Sequence, residues 1–175
     1  MAIVKPGRRR IYLGRKIDLA LQEVTLADGS KAEREVVLHR GAVALLAFVD
    51  DERVCLVRNQ RYAVGKTLLE VPAGTIEPGE SPDETAPREL KEETGYEAGR
   101  IERIAEWFVS PGVLNERMYL YLCRDLRLGS TAHQPDELLE PVVVPWTIAL
   151  KMARDGRIED AKSMLAILLY EARQA

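Results

Sequence analysis

Residues 74–96 read GTIEPGESPDETAPRELKEETGY, and this stretch constrains the chain more than any other. It sets Gly74, Glu80, Arg88, Glu89, Glu92, Glu93 and Gly95 at fixed spacings, with Leu90 and Tyr96 at the bulky apolar places. At a background of ~7% per fixed letter, seven together arise by chance at ~10^-8 per window, so the arrangement is a signal. Ser81, Pro82 and Glu84 make a helix start: Ser as N-cap, Pro at the first position, Glu at the third. Gly95 supplies the left-handed residue that stops it, which predicts a helix to about Thr94. Glu89, Glu92 and Glu93 then share one face, where like charges repel and weaken a bare helix. A bound cation is the simplest reason to keep them together. Carboxylate oxygens suit Mg2+ or Mn2+, and the sequence offers no Cys/His set for zinc. The plainer alternative is a solvated acidic face, which leaves Arg88, Glu80 and the two glycines as coincidences.

Pro87 lies inside this helix. It has no N–H for residue 83, and its ring crowds that carbonyl, at a cost of ~3 kcal/mol in a regular helix. Either the first turn is irregular or the regular helix begins near Pro87. The acidic face follows the proline and survives both.

A chain of 175 residues can bury a real core as one unit. Its net charge of −3 does not suggest a nucleic-acid partner. Arg8, Arg9 and Arg10 read as a solvated strand edge or a phosphate contact. Cys55 and Cys123 sit in apolar, strand-like stretches and read as buried free thiols in a reducing compartment. No apolar signal core opens the chain and no apolar run reaches membrane-spanning length, so the cytoplasm is expected and a membrane is not.

Residues 11–26 alternate in stretches, Asp28-Gly29 signals a hairpin turn, and Arg34 to Leu38 makes the return strand. Ala42 to Val49 and Arg53 to Val57 form a second hairpin of nearly continuous apolar strands, as expected when both faces are covered. Short strands follow at Leu68 to Val71, Ile104 to Val109, Met118 to Cys123 and Val142 to Val144. Residues 125–140 read as an acidic loop; Thr147 to Arg154 and Ala161 to Ala172 read as helices. This mixture predicts α/β layers with a sheet between helices. Residues 1–40 read as an N-terminal sheet extension and 41–175 as the main domain.

The 74–96 pattern, G-x5-E-x7-R-E-U-x-E-E-x-G-U with U bulky and apolar, resembles the Nudix box, the signature of hydrolases that cleave nucleoside diphosphates linked to another group. The resemblance implies a Nudix-type α/β/α sandwich, here with an additional N-terminal antiparallel sheet. Glu70-Val71-Pro72-Ala73-Gly74, Arg58 to Tyr62, Ser110-Pro111-Gly112 spaced from Gly95, Glu116, and Ile158 to Ser163 resemble flanking motifs of the ADP-ribose pyrophosphatases and nucleotide-sugar hydrolases. By that resemblance Glu89 and Glu93 are the main ligands of Mg2+ (or Mn2+), Glu92 assists, and the Ala73 carbonyl completes the set. Arg88 pairs with the carboxylates. The general base is expected in the acidic loop: Glu137 aligns best, with Asp136, Glu140 and Glu116 as alternatives. Arg61, Glu70, Pro111 and Gly112 are expected to bind substrate, with Arg61 as a diphosphate clamp. Tyr12 or Tyr62 either stacks on the base or packs half-buried. The N-terminal sheet implies a homodimer and a share in the substrate pocket. The expected substrate is ADP-ribose, cleaved to AMP and ribose 5-phosphate. GDP-mannose or UDP-glucose hydrolysis, or a non-catalytic ADP-ribose-sensing module, are the rival readings.

Overall fold

The structure, a computed structural model, describes residues 7–129 and 139–174. Alternation in the first forty residues yields β1 (Arg8–Leu13), β2 (Asp18–Thr25) and β3 (Lys31–Leu38), a three-stranded antiparallel sheet. Within these strands only Ala20 and Leu38 are buried. The alternation therefore sets register without building a core of its own, and cross-strand ion pairs such as Arg10–Asp18 and Lys31–Glu23 line its faces.

The larger sheet contains β4 (Ala42–Phe48), β5 (Arg53–Arg61), β6 (Lys66–Glu70) and β7 (Ala73–Thr75). Helix α1 (Pro82–Thr94) follows, then β8 (Tyr96–Phe108), β9 (Arg117–Leu128) and β10 (Leu139–Pro145), and finally α2 (Trp146–Arg154) and α3 (Ala161–Gln174). The strand order is β10-β5-β4-β9-β8, with β6 paired to β5 and β7 to β4; β4 and β9 run parallel. Every residue of β4 is buried, so the strand needs cover on both faces. Val43, Leu45 and Ala47 pack with Ala86 and Leu90 of α1. Ala44, Leu46 and Phe48 pack with Leu150 of α2 and Ile167 and Tyr170 of α3. The result is the expected α/β/α sandwich plus the additional N-terminal sheet.

Among the described residues, the end of the small sheet is hydrogen-bonded to the loop between β8 and β9. Val37 donates its N–H to the Val113 carbonyl at 2.8 Å, and the His39 N–H donates to Asn115 Oδ1 at 2.6 Å. Cys55 and Cys123 are free and buried, and burial pushes both thiols up to about 12. Among the described residues no helix is long and apolar enough to cross a membrane.

Candidate active site

Helix α1 forms as its caps dictate. Ser81 Oγ accepts the Glu84 N–H, the Glu84 carboxylate accepts the Ser81 N–H at 2.8 Å, and Gly95 at φ 73° returns its N–H to the Lys91 carbonyl. The helix is unbroken from Pro82 through Pro87, so neither an irregular first turn nor a start near Pro87 is found. The capping box and the Thr85 Oγ1 bond to the Ser81 carbonyl at 2.9 Å hold the turn that the proline weakens.

Arg88 is the hub of the acidic wall. Its Nε and Nη2 donate to the two oxygens of Glu80 at 2.7 and 2.9 Å, and its Nη1 donates to Glu89 and Glu92, both at 2.9 Å. The guanidinium holds the Glu80 carboxyl down at about 2. Thus Glu80, outside the helix, fixes the arginine that gathers the helical carboxylates.

These carboxylates are pressed onto β7. The Ala73 N–H donates to Glu93 Oε2 at 2.8 Å. A Cβ on Gly74 would lie 1.9 Å from Glu89 Cδ, so only glycine admits that carboxylate. Glu89 and Glu93 are 9% and 5% exposed, a costly burial for acids unless partnered. The donors are all oxygens and suit a hard divalent cation. With Arg88 inserted among them, no three acidic, His or Cys side chains converge as a ligand set among the described residues.

A cavity of about 280 Å3 opens against this wall, lined by Ala73, Gly74, Thr75 and Glu116 on one side and by Arg61 and Lys162 on the other. Glu70 lies beneath the far side at 1% exposure. Its oxygens accept from Arg61 Nε and Nη2 at 2.7 and 2.6 Å, and Lys162 Nζ donates to the same carboxylate. Lys162 also pairs with Asp160 at 3.0 Å, and Asp160 accepts the Ser163 N–H at 2.9 Å in the first turn of α3. Ser163 Oγ in turn accepts the Val71 N–H at 2.8 Å, locking α3 to the segment between β6 and β7.

The other expected residues are dispersed. Glu116 lines the cavity, 3.5 Å from His39 Nδ1. Pro111 and Gly112 line a separate cavity of about 300 Å3 beside Arg8 and Phe108. Glu140, on β10, is exposed and paired with Arg58 at 3.1 Å, and does not line the cavity that holds Glu116. Asp136 and Glu137 lie outside the described residues. Tyr12 and Tyr62 are 59% and 78% exposed, so neither packs half-buried. Lys162 and Asp160 entered the sequence reading only inside a flanking motif, and His39 not at all. An Asp two residues before Lys at a helix start was the available signal: the Asp caps the helix, which fixes where the Lys projects.

Comparison with known proteins bears on the family and the fold. The family described as NUDIX domain matches residues 38–166. The chain is 36% identical over 171 residues to an ADP-ribose pyrophosphatase of Bacillus subtilis (strain 168), covering 97% of this chain and 92% of that protein. It is 34% identical over 157 residues to a GDP-mannose pyrophosphatase of Klebsiella pneumoniae, covering 83% of this chain and 79% of the relative. Among solved structures, an ADP compounds hydrolase superposes with a TM-score of 0.82 at 24% identity, over 95% of this chain and 91% of the other, a likeness of fold.

Proposed function

The chain belongs to the Nudix family and is a pyrophosphohydrolase, and from that premise we propose that its substrate is ADP-ribose, hydrolysed at the pyrophosphate bond to AMP and ribose 5-phosphate. The observation that carries this reading is one cavity lined both by Ala73 and Gly74, which are backed by buried carboxylates, and by two cations that share Glu70. Water's oxygen bonds to one phosphorus, the bridging P–O bond breaks, and both products leave as monophosphates.

Glu89 and Glu93, with Glu92 and the Ala73 carbonyl, would hold the divalent cation, Mg2+ with Mn2+ as substitute. When bound, that ion neutralises diphosphate charge and acidifies water. Arg88 holds these carboxylates in register. Glu70 occupies Nε and Nη2 of Arg61, leaving Nη1 for a phosphate oxygen, and it aligns Lys162 beside it. Glu70 is too buried to meet substrate itself, so its part in binding is to orient these cations. A carboxylate takes the proton from the attacking water: Glu137 is the first candidate, and Glu116 is the one that lines the cavity. The chain divides into the extension, residues 1–40, and the hydrolase domain, 41–175. It acts as a homodimer through the small sheet, where Ile11, Tyr12, Leu13 and Ile17 are exposed. Its buried free thiols suit the cytoplasm.

The test is incubation with ADP-ribose, with and without Mg2+, and separation of the products. Mg2+-dependent release of AMP and ribose 5-phosphate supports the reading. Cleavage of GDP-mannose alone would replace the substrate, a reading that the Klebsiella relative favours. Binding without cleavage of either would mark a sensing module.

A further inference from the structure

Between β6 and β7 the chain changes partners. Glu70 pairs with Val57 of β5, and Ala73 pairs with Ala44 of β4. Of the two residues between them, Pro72 has no N–H, and its carbonyl accepts the Leu45 N–H at 2.8 Å. Val71 is buried, and a buried N–H needs an acceptor. A side chain 92 residues away supplies it: Ser163 Oγ, itself buried, accepts the Val71 N–H at 2.8 Å. The same hydroxyl donates its proton to Asp160 Oδ2. That oxygen also accepts the Ser163 N–H at 2.9 Å and stands 3.0 Å from Lys162 Nζ. Lys162 Nζ donates in turn to Glu70, the residue before Val71.

A buried hydroxyl is satisfied by one partner. This one has two, in opposite senses, and each leads to an acid that holds Lys162. As acceptor it pins the backbone beside Glu70; as donor it pins the Asp160 carboxylate. One oxygen therefore sets the gap between the two acids, and the ammonium sits in that gap. An ammonium has three N–H donors. Two face Glu70 and Asp160, and the third is left for the cavity that Lys162 lines. A shift of either acid would turn it away. We propose that Ser163 is a positioning residue for substrate affinity: its hydroxyl spaces Glu70 and Asp160 and so aims Lys162 at a phosphate oxygen of the substrate. The inference rests on the hydrolase reading above and deepens it with a side chain that never meets the substrate.

The experiment is a double-mutant cycle on the full chain: parent, Ser163→Ala, Lys162→Met and the two together. Each is assayed for kcat and KM on ADP-ribose with Mg2+, and for ADP-ribose binding by calorimetry without divalent cation, where turnover stops. Ser163→Ala is expected to raise KM ~5-fold with kcat near the parent's, part of what losing Lys162 itself removes. In the Lys162→Met background the same serine change is expected to leave KM within ~1.5-fold, because nothing remains to aim. A serine that only steadies the fold would act equally in both backgrounds. An unchanged KM in Ser163→Ala, a loss confined to kcat, or a KM rise that persists without Lys162 overturns the inference. Ser163→Cys, whose thiol is a weaker donor and acceptor, carries the same cycle if the alanine chain does not fold. Cleavage of GDP-mannose alone replaces the substrate, and the cycle is then read on GDP-mannose. If neither compound is cleaved, the hydrolase reading fails by itself. The cycle in the calorimetric Kd for ADP-ribose still decides the role of Ser163, and no binding at all overturns both.

Discussion

Behind Ala73 and Gly74, which line the cavity, stands an acidic wall whose Glu80, Arg88, Glu89, Glu92 and Glu93 all come from α1 and the turn just before it. On the other wall, Arg61 comes from the end of β5, Glu70 from the end of β6, and Asp160 and Lys162 from the start of α3. The first wall is written into helical periodicity and can form wherever the helix forms. The second exists only after the sheet has paired β5 with β6 and α3 has docked through Ser163. The local wall is also the one with excess acid, gathered by a single arginine, whereas in the assembled wall two cations are balanced by two acids. We expect the local wall to carry the chemistry and the assembled wall to carry affinity.

The strongest way to break that division is Glu93→Gln. It keeps an acceptor for the Ala73 N–H but removes a charge from the cation site, and kcat should fall ~1000-fold or more, since a metal's charge stabilisation is worth several kcal/mol. Near-normal turnover, measured with a melting temperature to show the fold intact, would dismiss the metal assignment. Next, Glu137→Gln should lower kcat at least ~100-fold, the range of general-base catalysis. An unchanged kcat would move the base to Glu116 or Glu140. The assembled wall should answer differently: Lys162→Met should raise KM ~10-fold, the loss of about one charge-assisted contact, and change kcat much less. A loss confined to kcat would put Lys162 among the groups that meet the transition state and erase the contrast. The smallest effect is on pH. Glu80 titrates at about 2 in the fold, below its ordinary 4.5, so its stabilising share is full above 4.5 and is lost as pH falls toward 2. Thermal melts across that window should fall less steeply for Glu80→Gln than for the parent chain, and identical slopes would mean that the Glu80–Arg88 pair adds nothing.

The same contrast explains what could be read from the letters. Helix α1 and the grouping of its acids follow from spacing and caps. Pro87 misled only about the helix start, because the capping box and the Thr85 bond to the Ser81 carbonyl anchor the first turn ahead of the proline. The buried β4 was plain from its unbroken apolar run. The outer strand β8 extends over Tyr96–Phe108, well beyond the Ile104 start suggested by hydropathy, because as an edge strand it alternates half-buried with exposed positions and has no apolar run to announce it. Lys162 stayed hidden for a different reason. Its partner Glu70 lies far away in sequence, and no local period links them. Pro111 and Gly112, legible as a motif, belong to a different cavity from Glu116, because the turn after β8 faces Arg8 of the small sheet.

The shared carboxylate of Glu70 has a consequence for how this wall can change. Arg61 and Lys162 lean on the same two oxygens, so removing one cation leaves Glu70 to the other and alters its geometry. Their substitutions should therefore be non-additive, with the double variant departing from the sum of the singles. In evolutionary terms the three positions form one heritable unit: a lineage that shifts substrate by altering one of the cations would be expected to alter its companions along with it.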